Sequence, residues 1–262
     1  MRVVSVCSSS KANCTYIESG GTGFLVDVGC SYKMLCDGLK MADRDISCVK
    51  AVFITHEHTD HINGLLMLTK KLAVPVYASE GTLGMILAKN KASAGADLRL
   101  INDLGNAPVN VSVTAFHTPH DSAESVCYTF RDPENKIAVC TDLGHVTPEV
   151  RENLTGSRFV LIEANYDPEM MTRNLTYPYE LKQRIRSDRG HLSNGDCAAF
   201  ARELVASGTV SLLLGHLSQN NNTPEIAVRT VENALSTSGA VRGRDYILDA
   251  AAVVGSGKAI AV

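Results

Sequence analysis

The chain has 262 residues, 45% of them hydrophobic and 20% charged, with a formal net charge of -3. That length allows one large domain or two small ones with a sizeable buried core, and the balance excludes a disordered chain. It also excludes a globally basic surface, though not a local basic groove. "MRVVSVCSSS" lacks the apolar core of a secretory signal, and runs such as "VSLLLG" are too short to span a bilayer.

In chain order, the first elements are short β-like runs, "RVVSV", "CTYIES" and "GFLVDVG", with Gly20, Gly21 and Gly23 marking a hairpin between the last two. "SYKMLCDGLKMA" reads as a helix capped by Ser31. "CVKAVFI" is a buried strand that ends at a histidine cluster, and "HINGLLMLTKKL" follows as one helix. Strand "PVYAS" and helix "EGTLGMILAKN" come next, then strands "LRLIN", "VNVSVTAFHT", "SVCYTFR" and "KIAVCTD". The remainder alternates: "TPEVRENL", "RFVLIEA", "YELKQRIRS", "NGDCAAFARELVAS", "VSLLLG", "TPEIAVRTVENALSTS", and closing strands in "DYILDAAAVVG" and "KAIAV". No linker or low-complexity tract interrupts it, so residues 1–262 are expected to form a single α/β domain of two sheets with helices outside. Eight scattered cysteines without a CxxC pair are the usage expected of reduced thiols in a cytoplasmic protein, mostly as small core residues.

The chemistry concentrates in "ITHEHTDHINGL", which sets His56, His58, Asp60 and His61 within six positions at a strand end. Imidazole and carboxylate donors suit zinc, manganese or iron. Four such groups exceed the three protein ligands of one open catalytic ion, which makes two metals the economical reading.

"THEHTDH" resembles the signature of the metallo-β-lactamase fold superfamily, and the later motifs "FHTPHDS", "VCTDLG" and "LLGHLS" follow in a similar order. The resemblance implies an αββα four-layer sandwich of two mixed β-sheets flanked by helices. It further implies two divalent ions (zinc or manganese, iron also being compatible). His56, His58 and His120 would hold one, Asp60, His61 and His216 the other, and Asp142 would bridge them. His117 competes with His120, which is preferred because it directly precedes Asp121. Three histidines in the first motif set the chain apart from the diiron-flavoprotein branch, leaving hydrolysis by a hydroxide held between the metals, with Asp60 accepting its hydrogen bond.

"LVDVGCSYK", "FITHEHTDHINGL", "HDSAES", "TDLGHV", "YPYELKQRIRSDRGHLSN" and "GHLSQNNNTPEIA" together resemble the YycJ/WalJ (VicX) proteins over nearly the whole chain. That resemblance implies a cytoplasmic, metal-dependent DNA exonuclease acting 5′ to 3′, in DNA repair, with no membrane association. Where that family carries an SGSSGN-like turn, this chain has "VCSSSKAN", with Cys7 and Lys11 in place of glycines, so handling of a phosphate by Lys11 and Asn13 is altered.

The tetrapeptide GHLS occurs twice. His216 follows an apolar strand, as a ligand would. His191 follows the basic stretch "ELKQRIRSDR"; its setting is similar to the HST motif of RNase Z-type phosphodiesterases, and Glu163 to the glutamate of their HEAT motif. An imidazolium there, oriented by Glu163, would serve the leaving oxygen of a phosphodiester. A helix-capping or core role for His191 stays open, as does a solvated-face role for Lys182, Arg184, Arg186 and Arg189; with Asn194, Arg186 and Arg189 are the candidates for phosphate contact. The rival functions are a small-molecule hydrolase of the same fold, acting on a cyclic phosphodiester, thioester or lactone, and a non-catalytic metal-binding accessory protein.

Overall fold

The computed structural model describes residues Met1–Val262. The chain opens as an antiparallel meander of β1 (Arg2–Ser9), β2 (Ala12–Ser19) and β3 (Thr22–Val26). Gly20 and Gly21 form the second turn with φ of 54° and 79°, the left-handed pair that a two-residue hairpin demands. The first turn, at Ser10 and Lys11, needs no left-handed residue, so its lack of glycine carries no backbone strain. It is closed by side chains instead: Asn13 Oδ1 accepts from Ser9 N and Ser9 Oγ from Lys11 N, both at 3.2 Å.

Helix α1 (Tyr32–Met41) begins at the expected cap, where Ser31 Oγ accepts from Met34 N. Strands β4 (Val49–Phe53), β5 (Val76–Ala78) and β6 (Leu98–Leu100) extend the sheet in parallel. The single helix expected after the histidine cluster is two, α2 (Thr59–Ile62) and α3 (Leu65–Lys71). The break falls at Gly64, whose N–H turns out to Val28 O at 2.8 Å instead of continuing the helical ladder. Helix α4 (Glu80–Ala88) follows β5. With β13 (Ile260–Ala261), this sheet runs β13-β1-β2-β3-β4-β5-β6.

The second sheet is formed by β7 (Ser112–His117), β8 (Val126–Arg131), β9 (Lys136–Cys140), β10 (Phe159–Glu163), β11 (Ser211–Gly215) and β12 (Ile247–Ala250), in the order β12-β11-β10-β9-β8-β7. Strands β9 to β12 are parallel, and β10 and β11 are buried at every position, which is why they read as unbroken apolar runs. Helices α5 (Pro148–Leu154), α6 (Pro168–Arg173), α7 (Tyr179–Arg186), α8 (Asn194–Ala206) and α9 (Pro224–Thr237) intervene. Three of them start with proline behind a capping Thr147, Asp167 or Thr223, a sharp start signal. The six-residue α6 was too short for its apolar period to register, and only Ile247–Ala250 of the first expected closing segment is strand. The fold is therefore two mixed β-sheets flanked by helices, the class expected from the sequence.

The chain divides into two compact units, one of Met1–Ala115, Ser122–Asn135 and Ala252–Val262, the other of Phe116–Asp121 and Lys136–Ala251. The first has an aromatic core: Phe24 lies 4.8 Å from Phe130 and Phe53 stacks on Tyr77 at 5.4 Å, centroid to centroid. The second buries β10, β11 and the facing sides of the packed pair α8 and α9. No helix is long and apolar enough to cross a membrane.

In the first unit, the segment after β3 is clamped: Val28 N donates to His61 O at 2.8 Å and Gly29 N to Asn13 O at 2.9 Å. A Cβ on Gly29 would lie 1.6 Å from Asp60 O. Gly29→Ala is accordingly expected to cost roughly 3 kcal/mol or more in urea denaturation. Gly84→Ala, in α4 with nothing within 4 Å of the new methyl, should instead gain up to about 1 kcal/mol.

Candidate metal and catalytic site

In the first unit, β4 ends at Phe53 and the chain turns at once into the histidine cluster. His56 and His61 are fully buried, while His58 and Asp60 are half-exposed. His58 is the residue before α2, which puts Asp60 and His61 in the first helical turn. The rings gather closely, with the His56 centroid 4.6 Å from His58 and 4.1 Å from His61.

The orientation of these rings is set from behind. Asp27, the residue after β3, accepts from His61 Nδ1 at 2.8 Å and from Thr55 N at 2.8 Å. Thr55 Oγ1 donates to Asp27 Oδ2 at 2.9 Å and lies 3.0 Å from His56 Nδ1. A carboxylate only accepts, so His61 carries its proton on Nδ1; the Thr55 hydroxyl hydrogen is committed to Asp27, so His56 Nδ1–H donates to Thr55. Both lone pairs are thus on Nε2. Burial pushes the Asp27 carboxyl above its ordinary value, and the His61 and Thr55 contacts oppose it. Asn13 Nδ2 approaches Asp60 Oδ2 and His61 Nε2, each at 3.2 Å. Lys11 is exposed beside it on the hairpin turn.

In the second unit, Asp142 and His216 lie just past the ends of β9 and β11, and Glu163 is the last residue of β10. His120 is buried and His117 exposed, the His117 amide being engaged by Glu149. His120 Nδ1–H donates to Gly190 O at 3.0 Å, and its Nε2 lies 3.6 Å from Asp142 Oδ1. Burial lowers the His120 pKa, which keeps the ring neutral as a ligand must be.

Glu163 organises this half. Its Oε1 accepts from His191 Nδ1 at 2.8 Å and from His216 Nδ1 at 2.7 Å, while Oε2 accepts from the backbone of Leu143 and Leu192 at 2.8 and 3.0 Å. The carboxylate is fully buried, yet the desolvation that would raise its pKa is outweighed by the two histidines, and it falls to about 2. Burial would lower the His191 pKa, but the Glu163 charge and hydrogen bond prevail and raise it. Asp142, Glu163, His191 and His216 present ligand-type atoms within 4.8 Å of one another. The shortest links among them are hydrogen bonds from Nδ1 to Glu163, so Glu163 acts here as an acceptor for rings rather than as a metal ligand. The two GHLS copies are unlike in setting, a loop before α8 and a strand end, but both deliver an imidazole to this carboxylate.

Asp27, Asp142 and His216 all adopt left-handed backbone, with φ of 60°, 60° and 54°. Asp and His tolerate this region better than most side chains, and here it aims a side chain from a strand end.

The remaining sequence candidates have other roles. Asn194 is fully buried and amide-paired with Asn222. Arg189 holds His120 O through Nε and Nη2 at 3.2 and 3.0 Å, and Arg186 holds Thr172 Oγ1 at 2.7 Å, so each first serves the protein's own loops. Arg184 pairs with Asp121, and Lys182 donates to Thr172 O at 3.1 Å. His145 is exposed, with Nδ1 on Asp188 O. Sequence reasoning missed Asp27 and Thr55. The only available signal was an aspartate closing the apolar run "FLVDVG".

The donor chemistry fits divalent metal: His56, His61, His120 and His216 are each braced at Nδ1, which leaves Nε2 to offer a lone pair, and carboxylates lie beside them. A model described as "Beta-lactamase superfamily domain" matches residues 24–216, and the chain belongs to that superfamily. Within it, the chain is 34% identical over 236 residues to exodeoxyribonuclease YycJ of Bacillus anthracis, covering 89% of each. It is 33% identical to exodeoxyribonuclease WalJ of Streptococcus pneumoniae, covering 92% of this chain and 90% of that one. Its fold is similar to the metallo-β-lactamase fold protein YhfI of Bacillus subtilis, with a TM-score of 0.69 at 15% identity over 99% and 98% of the two chains.

Glu163→Gln tests the acceptor role. Glutamine keeps the shape but places an NH2 against two N–H donors whichever way it turns. In metal-free protein the expected loss is about 2–4 kcal/mol by urea denaturation, larger than for an ordinary buried hydrogen bond.

Proposed function

We propose that the chain is a metal-dependent exodeoxyribonuclease that hydrolyses phosphodiester bonds from a DNA end, in the 5′ to 3′ direction. The observation that carries this reading is the His191–Glu163 pair, joined to near full-length similarity to two exodeoxyribonucleases. A phosphodiester has a poor leaving group, and an imidazole held by a buried carboxylate is suited to protonate it. A thioester, which expels a thiolate, needs less help of this kind.

On this reading His56, His58 and His120 would hold one divalent ion and Asp60, His61 and His216 a second, with Asp142 as a shared ligand; zinc or manganese suits this set, and iron is compatible. Bound metal supplies Lewis acidity toward the phosphate and a nucleophile at neutral pH. Asp60 would orient the attacking water by accepting a hydrogen bond at its carboxylate. His191 donates a proton from Nε2 to the departing oxygen while its Nδ1–H stays on Glu163. Lys11, and the donors that Arg186 and Arg189 do not spend internally, contact backbone phosphate, and Asn13 orients Asp60. The two compact units, each assembled from discontinuous segments, function as one domain over residues 1–262. Eight free cysteines support a reducing, cytoplasmic setting.

The test is degradation of duplex DNA labelled at the 5′ or the 3′ end, alongside a thioester. Label release from the 5′ end, abolished by chelation and restored by manganese or zinc, is expected. Thioester turnover without DNA degradation overturns the reading. His191→Ala should lower kcat on the order of 10²–10⁴-fold with metal content unchanged. His58→Ala should lose both metal and activity, measured by elemental analysis and the same assay.

A further inference from the structure

The nuclease reading leaves three buried cysteines of the first unit unused. Cys7 and Cys14 face each other across the antiparallel β1–β2 pair, just past the bulge between Ser5 and Cys7. Each is three residues from the exposed hairpin turn at Ser10 and Lys11. Cys30 joins them because Gly29 N bonds to Asn13 O at 2.9 Å, which lays residue 30 alongside residue 14. All three are 1–2% exposed and belong to the same core cluster. The thiols of Cys14 and Cys7 both donate to the Cys30 sulfur. Those donors favour the Cys30 thiolate, as does its place immediately before Ser31, the cap of the ten-residue α1. The other two thiols are held protonated: the Cys30 contact and burial push both upward.

The cluster is also wired to the histidine motif. Cys14 follows Asn13, whose amide reaches Asp60 and His61. Cys30 ends the segment that starts at Asp27, the acceptor for His61 Nδ1. Within it Gly29 has no clearance against Asp60 O, so a displacement at residue 30 is transmitted to the motif rather than absorbed.

We propose that Cys14 and Cys30 are an oxidation site, a dithiol that a peroxide closes to a disulfide, and that closure loosens the histidine motif. The Cys30 sulfur attacks one peroxide oxygen, the O–O bond breaks, and the first water leaves with a thiol proton. The Cys14 sulfur then displaces hydroxide from the sulfenic acid so formed. The S–O bond breaks, the S–S bond forms, and the Cys14 proton leaves in a second water. Two thiols are oxidised and one peroxide is reduced to two waters.

The test treats the reduced, full-length protein with hydrogen peroxide, then unfolds and alkylates it for non-reducing peptide mapping. A Cys14–Cys30 crosslinked peptide, reversed by dithiothreitol, is expected in wild type and in Cys7→Ser but not in Cys30→Ser. Survival of free Cys14 and Cys30 at a dose that oxidises the more exposed Cys36 and Cys48 overturns the proposal, as does a crosslink between Cys7 and Cys14. A zinc titration reads the consequence: about tenfold weaker affinity in the crosslinked protein, recovered on reduction, in the range of a lost outer-shell ligand support. Unchanged affinity in crosslinked protein overturns the loosening. The crosslink itself is read without metal or substrate, so its absence leaves the nuclease reading standing. Failure of the reduced protein to bind zinc strikes that reading and not the crosslink.

Discussion

The constraint on which the rest depends is that an imidazole presents one nitrogen to a metal in a fixed direction when an acceptor holds the other. Four of the five histidines assigned as ligands have Nδ1 against an oxygen: Thr55 Oγ1 for His56, Asp27 for His61, the Gly190 carbonyl for His120 and Glu163 for His216. His191 is held in the same way by Glu163. These acceptors fix which nitrogen carries the lone pair before any ion arrives. They also explain the cost of burying charge: Asp27 and Glu163 are desolvated, and it is the donated N–H groups that make two buried carboxylates tolerable.

Each unit supplies these acceptors by the same device. Largely buried parallel strands run out together, and polar residues at or just past their ends form the candidate site: Asp27 after β3, Thr55 and His56 after β4, Asp142 after β9, Glu163 at the end of β10, His216 after β11. The in-register pairing of Glu163 with Gly215 brings that carboxylate beside the residue before His216, so a ladder of backbone bonds is what determines the 2.7 Å contact between them.

Much of this was legible in the sequence, and the limits have physical causes. The candidate ligand histidines stood out because strand-end clusters of His and Asp have few other uses. Ser31 announced its helix because capping is a local interaction. The break between α2 and α3 was hidden, since it depends on Val28 O, thirty-six residues before Gly64. The hold on His120 was invisible for a stricter reason: a backbone carbonyl, here that of Gly190, leaves no residue-type signature. Glu163 was legible as the partner of His191 by resemblance, but not as the shared acceptor of His216. The internal bonds of Asn194 and Arg189 were not legible, because polar residues near a site read alike whether they face solvent or brace the fold.

The left-handed residues at Asp27, Asp142 and His216 have an engineering consequence. Backbone held in that region by non-glycine residues costs of order 1 kcal/mol or more at each position, so this part of the molecule is kept in place by the cores around it rather than by its own preferences. Glycine would relieve the strain at any of the three and delete the side chain the turn exists to aim. Efforts to make the protein more heat-resistant therefore have to work from the aromatic core and helix surfaces, leaving these strand ends as an unfavourable but necessary deposit.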